Sequence, residues 1–119
     1  EQTVLDSIVK ERNFAYYQLG LIYKSKFKDY KRAQNKLEKL LTLSPEKRLV
    51  LPAKYNLYKL YALLDYKRLQ AQVKRDIIDN HPDSRYAIIL LNPEGKFAGI
   101  FRPPFDISRL SLTYQSITN

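Results

Sequence analysis

The stretch that decides the fold is Ala-Tyr-Tyr-Gln-Leu-Gly at residues 15–20, which is followed by Tyr23. A related stretch, Ala-Lys-Tyr-Asn-Leu-Tyr, occupies residues 53–58 and is followed by Tyr61. Three residues of the first stretch and the tyrosine that follows it return 38 positions later: Ala15, Tyr17, Leu19 and Tyr23. Self-similarity at a spacing of this size is typical of proteins that are built from repeated supersecondary units.

The segments that follow the two stretches also match each other. Leu40-Leu41 with Pro45 returns as Ile77-Ile78 with Pro82, at an offset of 37 positions. We interpret each copy as a pair of helices that ends at its proline. Because the offset falls from 38 to 37 within the copy, the first copy is predicted to have one extra residue in the turn between its helices.

Hydrophobic periodicity and helix breakers set the bounds of the predicted helices. Apolar residues spaced by three and four predict two antiparallel pairs, at 13–43 and 52–80, with one short helix on each side, at 3–12 and 83–91. Pro52 is expected in the first turn of its helix, where a missing amide N–H costs little. The candidate N-caps, whose side chains can accept from free backbone amides, are Asp29, Asp65 and either Asp83 or Ser84.

Residues 94–119 show a different pattern. Gly95, Gly99 and Pro103-Pro104 interrupt the segment, and a loose alternation near its end resembles a strand. We therefore predict a helical domain over residues 1–93 and an irregular or extended tail over 94–119. The tail is either a strap that lies on the helices or an unrelated continuation of the reading frame.

The first copy resembles the tetratricopeptide repeat. It reads Tyr16-x-x-Leu19-Gly20-x-x-Tyr23, then Ala33-x-x-x-Leu37, then Pro45, which follows the family signature with Tyr for Trp and Leu for Phe. The resemblance implies an all-α fold in which helix pairs at about 13–45 and 51–82 form a short right-handed α-solenoid. The flanking helices would then act as partial caps.

Small residues have a packing role in this signature. Gly20 and Ala33 are expected where the two helices of the first pair approach each other. A Gly20→Leu change should overpack this contact, whereas Gly20→Ala is expected to be neutral or stabilising because Gly has a low helix propensity. The second copy should pack less closely, since three of its residues depart from the signature: Lys54, Tyr58 and Gln70.

Four runs are similar to one group of repeat proteins, the repeat-containing lipoproteins of the type IX secretion and gliding system. The runs are Tyr-Gln-Leu-Gly-Leu-Ile-Tyr-Lys at 17–24, Leu-Glu-Lys-Leu-Leu at 37–41, Leu-Pro-Ala-Lys-Tyr-Asn-Leu-Tyr-Lys at 51–59 and Pro-Asp-Ser-Arg-Tyr-Ala at 82–87. This similarity implies a non-catalytic scaffold that links components of a secretion machinery at the outer membrane, on its periplasmic side. The lipid-bearing Cys of such lipoproteins is not in this sequence, which begins at Glu1 rather than Met. Lipid anchoring is therefore expected only through a longer parent protein.

Composition narrows the possible chemistry. The 119 residues include no Cys and a single His, His81, so disulfides, thiolate metal ligands and a Cys nucleophile are excluded. His81 has no second His with which to share a metal, and three glycines do not form a phosphate-binding loop. We predict no catalytic residue, no metal site and no cofactor. No stretch approaches the roughly 18 apolar residues of a membrane-spanning helix.

A protein-binding groove is the functional site that the resemblance implies. In tetratricopeptide geometry the first helix of each pair lines a concave face, and Tyr is favoured at binding surfaces because it provides area and a hydroxyl at low entropic cost. The alternative is that the same residues pack only on neighbouring helices, as we expect for Tyr16, Tyr23 and Tyr61. The residues assigned to the groove are Tyr17, Leu21, Lys24, Tyr55, Asn56, Lys59 and Leu63, with Phe14 beside them.

The basic charge leaves a second interpretation open. The net charge is +9, and residues 24–39 hold seven basic and two acidic side chains. Such a segment could bind nucleic acid or another anionic surface. However, it contains no recognised nucleic-acid motif, and its lysines flank core positions at helical spacing, as on a solvated helix face. We therefore favour a protein partner.

Overall fold

The computed structural model describes residues 1–92, which form five helices joined by short turns. The helices are α1 (Gln2–Ser25), α2 (Tyr30–Thr42), α3 (Lys47–Leu63), α4 (Lys67–Asn80) and α5 (Arg85–Leu91). No strand occurs in this part of the chain. The all-α prediction is therefore confirmed for residues 1–92, and the prediction for the tail at 94–119 lies outside the described residues.

Contacts along α1 and α2 show that these helices run antiparallel. Near the end of α1, the ring of Tyr23 lies 5.9 Å from the guanidinium carbon of Arg32 in the first turn of α2. At the middle of α1, Asn13 donates a hydrogen bond of 2.9 Å to Glu46, which follows the end of α2. The predicted first pair is therefore present.

The second pair, α3 and α4, has the same arrangement. Tyr61 near the end of α3 lies beside Tyr66 at the start of α4, with ring centroids 6.5 Å apart. At the other end of the pair, Lys54 Nζ lies 2.7 Å from Asp76 Oδ2. The helices are again antiparallel.

One backbone hydrogen bond is common to the two turns within the pairs. Asp29 N donates to Tyr23 O in the first turn, and Tyr66 N donates to Tyr61 O in the second, both at 2.8 Å. The first bond spans one residue more than the second. The extra residue that the two offsets predicted is thus accommodated in the turn between α1 and α2.

The predicted N-caps are correct at two helices and wrong at a third. Asp29 accepts from the backbone N–H of Arg32, and Ser84 Oγ accepts from that of Ala87, each at 3.1 Å. Asp65 does not cap α4. Its φ is +61°, because it occupies the left-handed position of the preceding turn, and the residue after it is the N-cap without a side-chain bond.

The sequence predicted a helix at 3–12 separate from the pair that begins at residue 13, but α1 is continuous from Gln2 to Ser25. Asn13, at the expected junction, is the buried polar residue of α1, with 1% of its surface exposed. Asn disfavours helix interiors when its side chain competes for backbone groups. Here its amide donates to Glu46 and its oxygen accepts from Arg12, so the helix continues through this position.

The placement of Pro52 in a first helical turn is also wrong, because α3 begins five positions earlier, at Lys47. Pro52 therefore lies inside the helix, where it has no N–H to donate to the carbonyl of Arg48. Leu49 and Ala53 lie one turn apart and are both buried in the core. Burial of this additional turn offsets the lost hydrogen bond.

The main core lies between the two pairs, and a smaller core lies at the α4–α5 end. The side chains of the main core come from α2 and α3: Ala33, Leu37, Leu40, Leu49, Ala53, Leu57, Leu60 and Tyr61. Tyr16 and Tyr23 pack at its edge, as expected. Leu19, which lies between them in α1, is 39% exposed, since no helix of residues 1–92 covers that side of α1. The smaller core contains Ile77, Ala87 and Leu90.

Gly20 marks the closest approach of α1 to α2. A Cβ atom at this position would lie 2.6 Å from both Cγ and Cδ2 of Leu37, and Leu37 is completely buried. The geometry supports the predicted role of Gly20 in packing. It contradicts the expectation that Gly20→Ala is neutral or stabilising, because Leu37 cannot move into free space.

We predict that Gly20→Ala lowers the free energy of unfolding by about 1–3 kcal/mol through overpacking. The effect should appear despite the gain of roughly 1 kcal/mol in helix propensity. Urea denaturation of the single variants Gly20→Ala and Leu37→Ala and of the double variant measures the coupling between the two positions. Equal or higher stability of Gly20→Ala would show that the helices separate easily here.

Glu46 links α1 to the connection between the pairs. Its Oε1 accepts from Asn13, and its Oε2 is buried, 3.8 Å from a guanidinium nitrogen of Arg48. The Asn13 hydrogen bond holds the pKa of the Glu46 carboxyl below its usual value, although burial acts in the opposite direction. The ionised carboxylate therefore contributes to stability.

The contribution of Glu46 should be lost in acid. Because its pKa is lower in the folded than in the unfolded chain, its stabilisation is complete above the unfolded pKa and disappears as the pH falls through the folded pKa. Glu46→Gln should be less stable than the original chain at pH 7, and the difference should shrink on acidification. Urea melts across this pH range test it, with the exposed Glu11→Gln as the control for charge. A difference that does not change with pH would refute the proposed linkage.

Candidate protein-binding groove

The first helices of the two pairs lie side by side and run parallel. Near the middle of α1, the ring of Phe14 lies 5.4 Å from the guanidinium carbon of Arg48 in the first turn of α3. Toward the other end, Lys24 of α1 is close enough to Lys59 of α3 for their charges to repel. The residues assigned to the groove therefore lie on two adjacent helices.

Three tyrosines from three helices lie near one another on this face. Tyr86 of α5 packs against Tyr55 of α3, with ring centroids 4.9 Å apart. Burial and the neighbouring Tyr86 phenol raise the pKa of Tyr17 on α1. Burial, with Tyr58 and Tyr86 nearby, raises the pKa of Tyr55 as well. Tyr86 thus packs on Tyr55 and lies near Tyr17, the two tyrosines that the repeat pattern selected.

Tyr58 and Tyr86 were not assigned to the groove from the sequence. Tyr58 stacks on Tyr55 with ring centroids 6.2 Å apart, and it occupies a position where the repeat signature has Gly. Tyr86 follows the Ser84 cap in the first turn of α5. Reading α5 as the first helix of a further pair would have placed Tyr86 beside Tyr55.

Two lysines give the groove its charge. The ammonium of Lys59 lies 4.8 Å from the ring centroid of Tyr55, in cation–π geometry. Burial lowers the pKa of Lys24, and repulsion by Lys59 lowers it further. Within residues 1–92, the carboxylates that form ion pairs do so with other basic residues. Neither Lys24 nor Lys59 forms an ion pair with a carboxylate of residues 1–92.

The remaining residues assigned to the groove differ in how much of each side chain is accessible to a partner. Leu63 lies one helical turn after Lys59 and is 55% exposed, and Leu21 lies one turn after Tyr17 and is half-buried. Asn56 donates its amide to the carbonyl of Pro52 at 2.8 Å. This amide is therefore engaged within α3, so Asn56 offers a partner mainly its oxygen.

The basic residues of α2 are separated from the groove lysines. Lys31 donates to the hydroxyl of Tyr66 and lies 5.0 Å from its ring centroid. Arg32 lies over Tyr23 and Lys36 over Tyr16, each at 5.9 Å. These side chains therefore lie over the rings of tyrosines that pack against the main core. The segment at 24–39 does not form one surface, because Lys24 faces Lys59 instead.

We predict that Tyr55→Ala lowers the free energy of unfolding by about 1–3 kcal/mol, because it removes the ring that packs on α5 and on the smaller core. Tyr55→Phe keeps the ring and should stay close to the original stability. Leu63→Ala, on the same helix but largely exposed, is the control and should change stability by less than about 0.5 kcal/mol. Urea denaturation compares the three. If Tyr55→Ala were as stable as the original chain, the packing of α5 on α3 would not depend on the contact between Tyr55 and Tyr86.

Residues 1–92 contain neither a membrane-spanning helix nor a cluster of metal ligands. None of the helices there combines the length and the apolar character needed to cross a membrane. No three His, Asp or Glu side chains in that range lie together as ligands for a metal ion. The absence of a cofactor and of catalytic activity remains a prediction from the sequence.

Comparisons with known proteins bear on the family assignment. The sequence matches no protein-family model and no curated protein. The similarity to tetratricopeptide repeats and to the type IX lipoproteins therefore remains a prediction that rests on the residues quoted above.

Proposed function

We propose that this chain is a non-catalytic protein-interaction module that binds an acidic segment of a partner protein in the groove between α1, α3 and α5. One observation carries the proposal. Tyr55 of α3 contacts both Tyr86 of α5 and Lys59, and Tyr17 and Lys24 of α1 lie near them. Aromatic area and positive charge that no carboxylate of residues 1–92 pairs with thus occur on the same face.

The lysine pair favours a partner with carboxylates. Each ammonium is partly desolvated or held near a like charge, which costs free energy in the free protein. A carboxylate placed between Lys24 and Lys59 would relieve that repulsion and form charge-assisted hydrogen bonds. The tyrosines would provide the apolar area and further hydroxyl contacts. Charge would then act mainly on association rate and specificity, and the rings on residence time.

The sequence resemblance supports a role for this binding. A short right-handed α-solenoid of tetratricopeptide type would present the groove as its concave face. We extend the proposal to a scaffold of a type IX secretion or gliding machinery that faces the periplasm at the outer membrane. In that setting the partners would be other components of the machinery, and a longer parent protein would carry the lipid anchor.

The alternative function is binding to nucleic acid or to another anionic surface. The net charge of +9 favours it. It is the weaker candidate because Arg32 and Lys36 lie over Tyr23 and Tyr16, which reduces their freedom to contact phosphates. A nucleic-acid complex would also lose affinity steeply as salt rises.

The test begins with short random peptides displayed on phage and selected on the full chain. Selected peptides are synthesised and titrated by calorimetry, alongside single-stranded and duplex DNA at low and physiological salt. We expect peptides that combine Asp or Glu with apolar or aromatic residues. Selection of no peptide, together with binding of DNA, would replace the proposal with the alternative.

Lys24→Gln should change binding and stability in opposite directions. The folded-state pKa of Lys24 is lowered, so its charge is unfavourable in the folded chain below that pKa, and this cost fades only as the pH rises toward the unfolded value. At neutral pH the variant should therefore melt at an equal or higher temperature while binding a selected acidic peptide more weakly, by on the order of fivefold. Lys67→Gln, an exposed position on α4, is the matched control and should leave both quantities unchanged.

Tyr17→Ala separates binding from packing in the same assay. If Tyr17 is an anchor, affinity per folded molecule should fall by on the order of 1–2 kcal/mol. Unchanged affinity of both Tyr17→Ala and Lys24→Gln, with a lower melting temperature for Tyr17→Ala alone, would show that the groove does not bind the peptide.

A further inference from the structure

The outer side of α1 carries an apolar seam that no helix of residues 1–92 covers. Six residues define the seam, and they are spaced alternately by three and four positions: Leu5, Ile8, Arg12, Ala15, Leu19 and Ile22. All six are exposed, including Leu5 and Ile8 at 56%. This alternation is the a/d pattern of a coiled coil, sustained over the length of the helix.

The seam is distinct from the sides of α1 that are already used. Gly20 and Asn13 are the buried residues of the helix, and both belong to the side that packs on α2 and on the connection to α3. Tyr17 and Lys24 point to the groove. A 24-residue helix is about 36 Å long, which is long enough for a stable coiled coil when a second helix covers the seam.

We infer that a second copy of the chain covers this seam, so that two α1 helices pack as an antiparallel coiled coil about a two-fold axis. The sizes of the seam residues are complementary in this direction. Leu5 of each copy lies opposite Ile22 of the other, and Ile8 lies opposite Leu19. At the centre, the long Arg12 lies opposite the small Ala15.

Arg12 fits the centre of such a seam despite its charge. Its guanidinium already donates to Asn13 Oδ1 at 3.1 Å, at the edge of the seam. The methylene stem can then cover Ala15 of the second copy while the charged group stays at the rim, as is usual for Arg at helix interfaces.

Charge selects the antiparallel direction. The acidic residues of α1 and its cap are in the first half: Glu1, Asp6 and Glu11. Lys26 and Lys28 follow the end of the helix, and Lys10 and Arg12 lie near the middle. An antiparallel pair places the acidic end of one copy beside the basic end of the other, and it also opposes the two helix dipoles. A parallel pair would bring like charges together.

Sedimentation velocity of the full chain over a range of micromolar concentrations tests the association. The chain should be a dimer that dissociates on dilution. Leu19→Glu and Leu5→Glu should each raise the dissociation constant by more than about 100-fold, because a symmetric interface buries the unpaired charge twice. Leu91→Glu replaces an equally exposed leucine on α5 and should leave the dimer intact. Circular dichroism confirms that each variant is folded.

Cysteine cross-linking tests the direction, and the chain suits it because it has no Cys of its own. Ile8→Cys and Leu19→Cys are made in separate chains of different tag length and mixed under oxidising conditions. The antiparallel seam predicts a disulfide between the two variants and none between two copies of either.

Two outcomes would overturn the inference. An original chain that stays monomeric at every concentration would show that the seam is covered by residues 93–119 or by another protein. Self-cross-linking of Ile8→Cys would show a parallel pair. Neither outcome bears on peptide binding, which is measured in the groove on the other side of α1.

Discussion

Gly20 and Leu37 meet at a distance that leaves no space for a methyl group, and the position of α1 depends on that approach. With α1 held against α2 at its middle, the hydrogen bond from Asn13 to Glu46 fixes it to the start of the second pair. Tyr17 and Lys24 lie on either side of Gly20 along the helix, so the same contact sets where they stand relative to α3. A wider separation of α1 and α2 would move both residues away from Tyr86 and Lys59.

The parts of the fold that the sequence predicts are those that depend on residues near each other in the chain. The offsets of 38 and 37 predict two helix pairs with unequal turns, and Asp29 and Ser84 act as caps because each needs only an amide three residues later. The errors come from distant partners. α1 continues through Asn13 because Glu46 engages its side chain, and α3 extends before Pro52 because Leu49 finds a place in the core.

The same distinction between nearby and distant residues applies to the groove. Tyr17 and Tyr55 could be selected from the repeat because they occupy equivalent positions in the two copies. Tyr86 was missed because its helix has only seven residues and was interpreted as a cap rather than as the start of a further pair. The repulsion between Lys24 and Lys59 depends on the packing of α1 beside α3. The amide of Asn56 is engaged by a backbone carbonyl, and residue type alone gives no sign of that.

Pro52 divides α3 into two parts, and the part before it can unfold separately from the part after it. Since Pro52 has no N–H for the carbonyl of Arg48, the turn at residues 47–51 is connected to the rest of the helix by one hydrogen bond fewer than an uninterrupted helix would have. That turn can therefore open as a local unit at a free energy below that of global unfolding. Opening would expose Leu49 and release the Glu46 carboxylate from Asn13. Amide hydrogen exchange in this turn thus reports how firmly α1 is attached to the second pair.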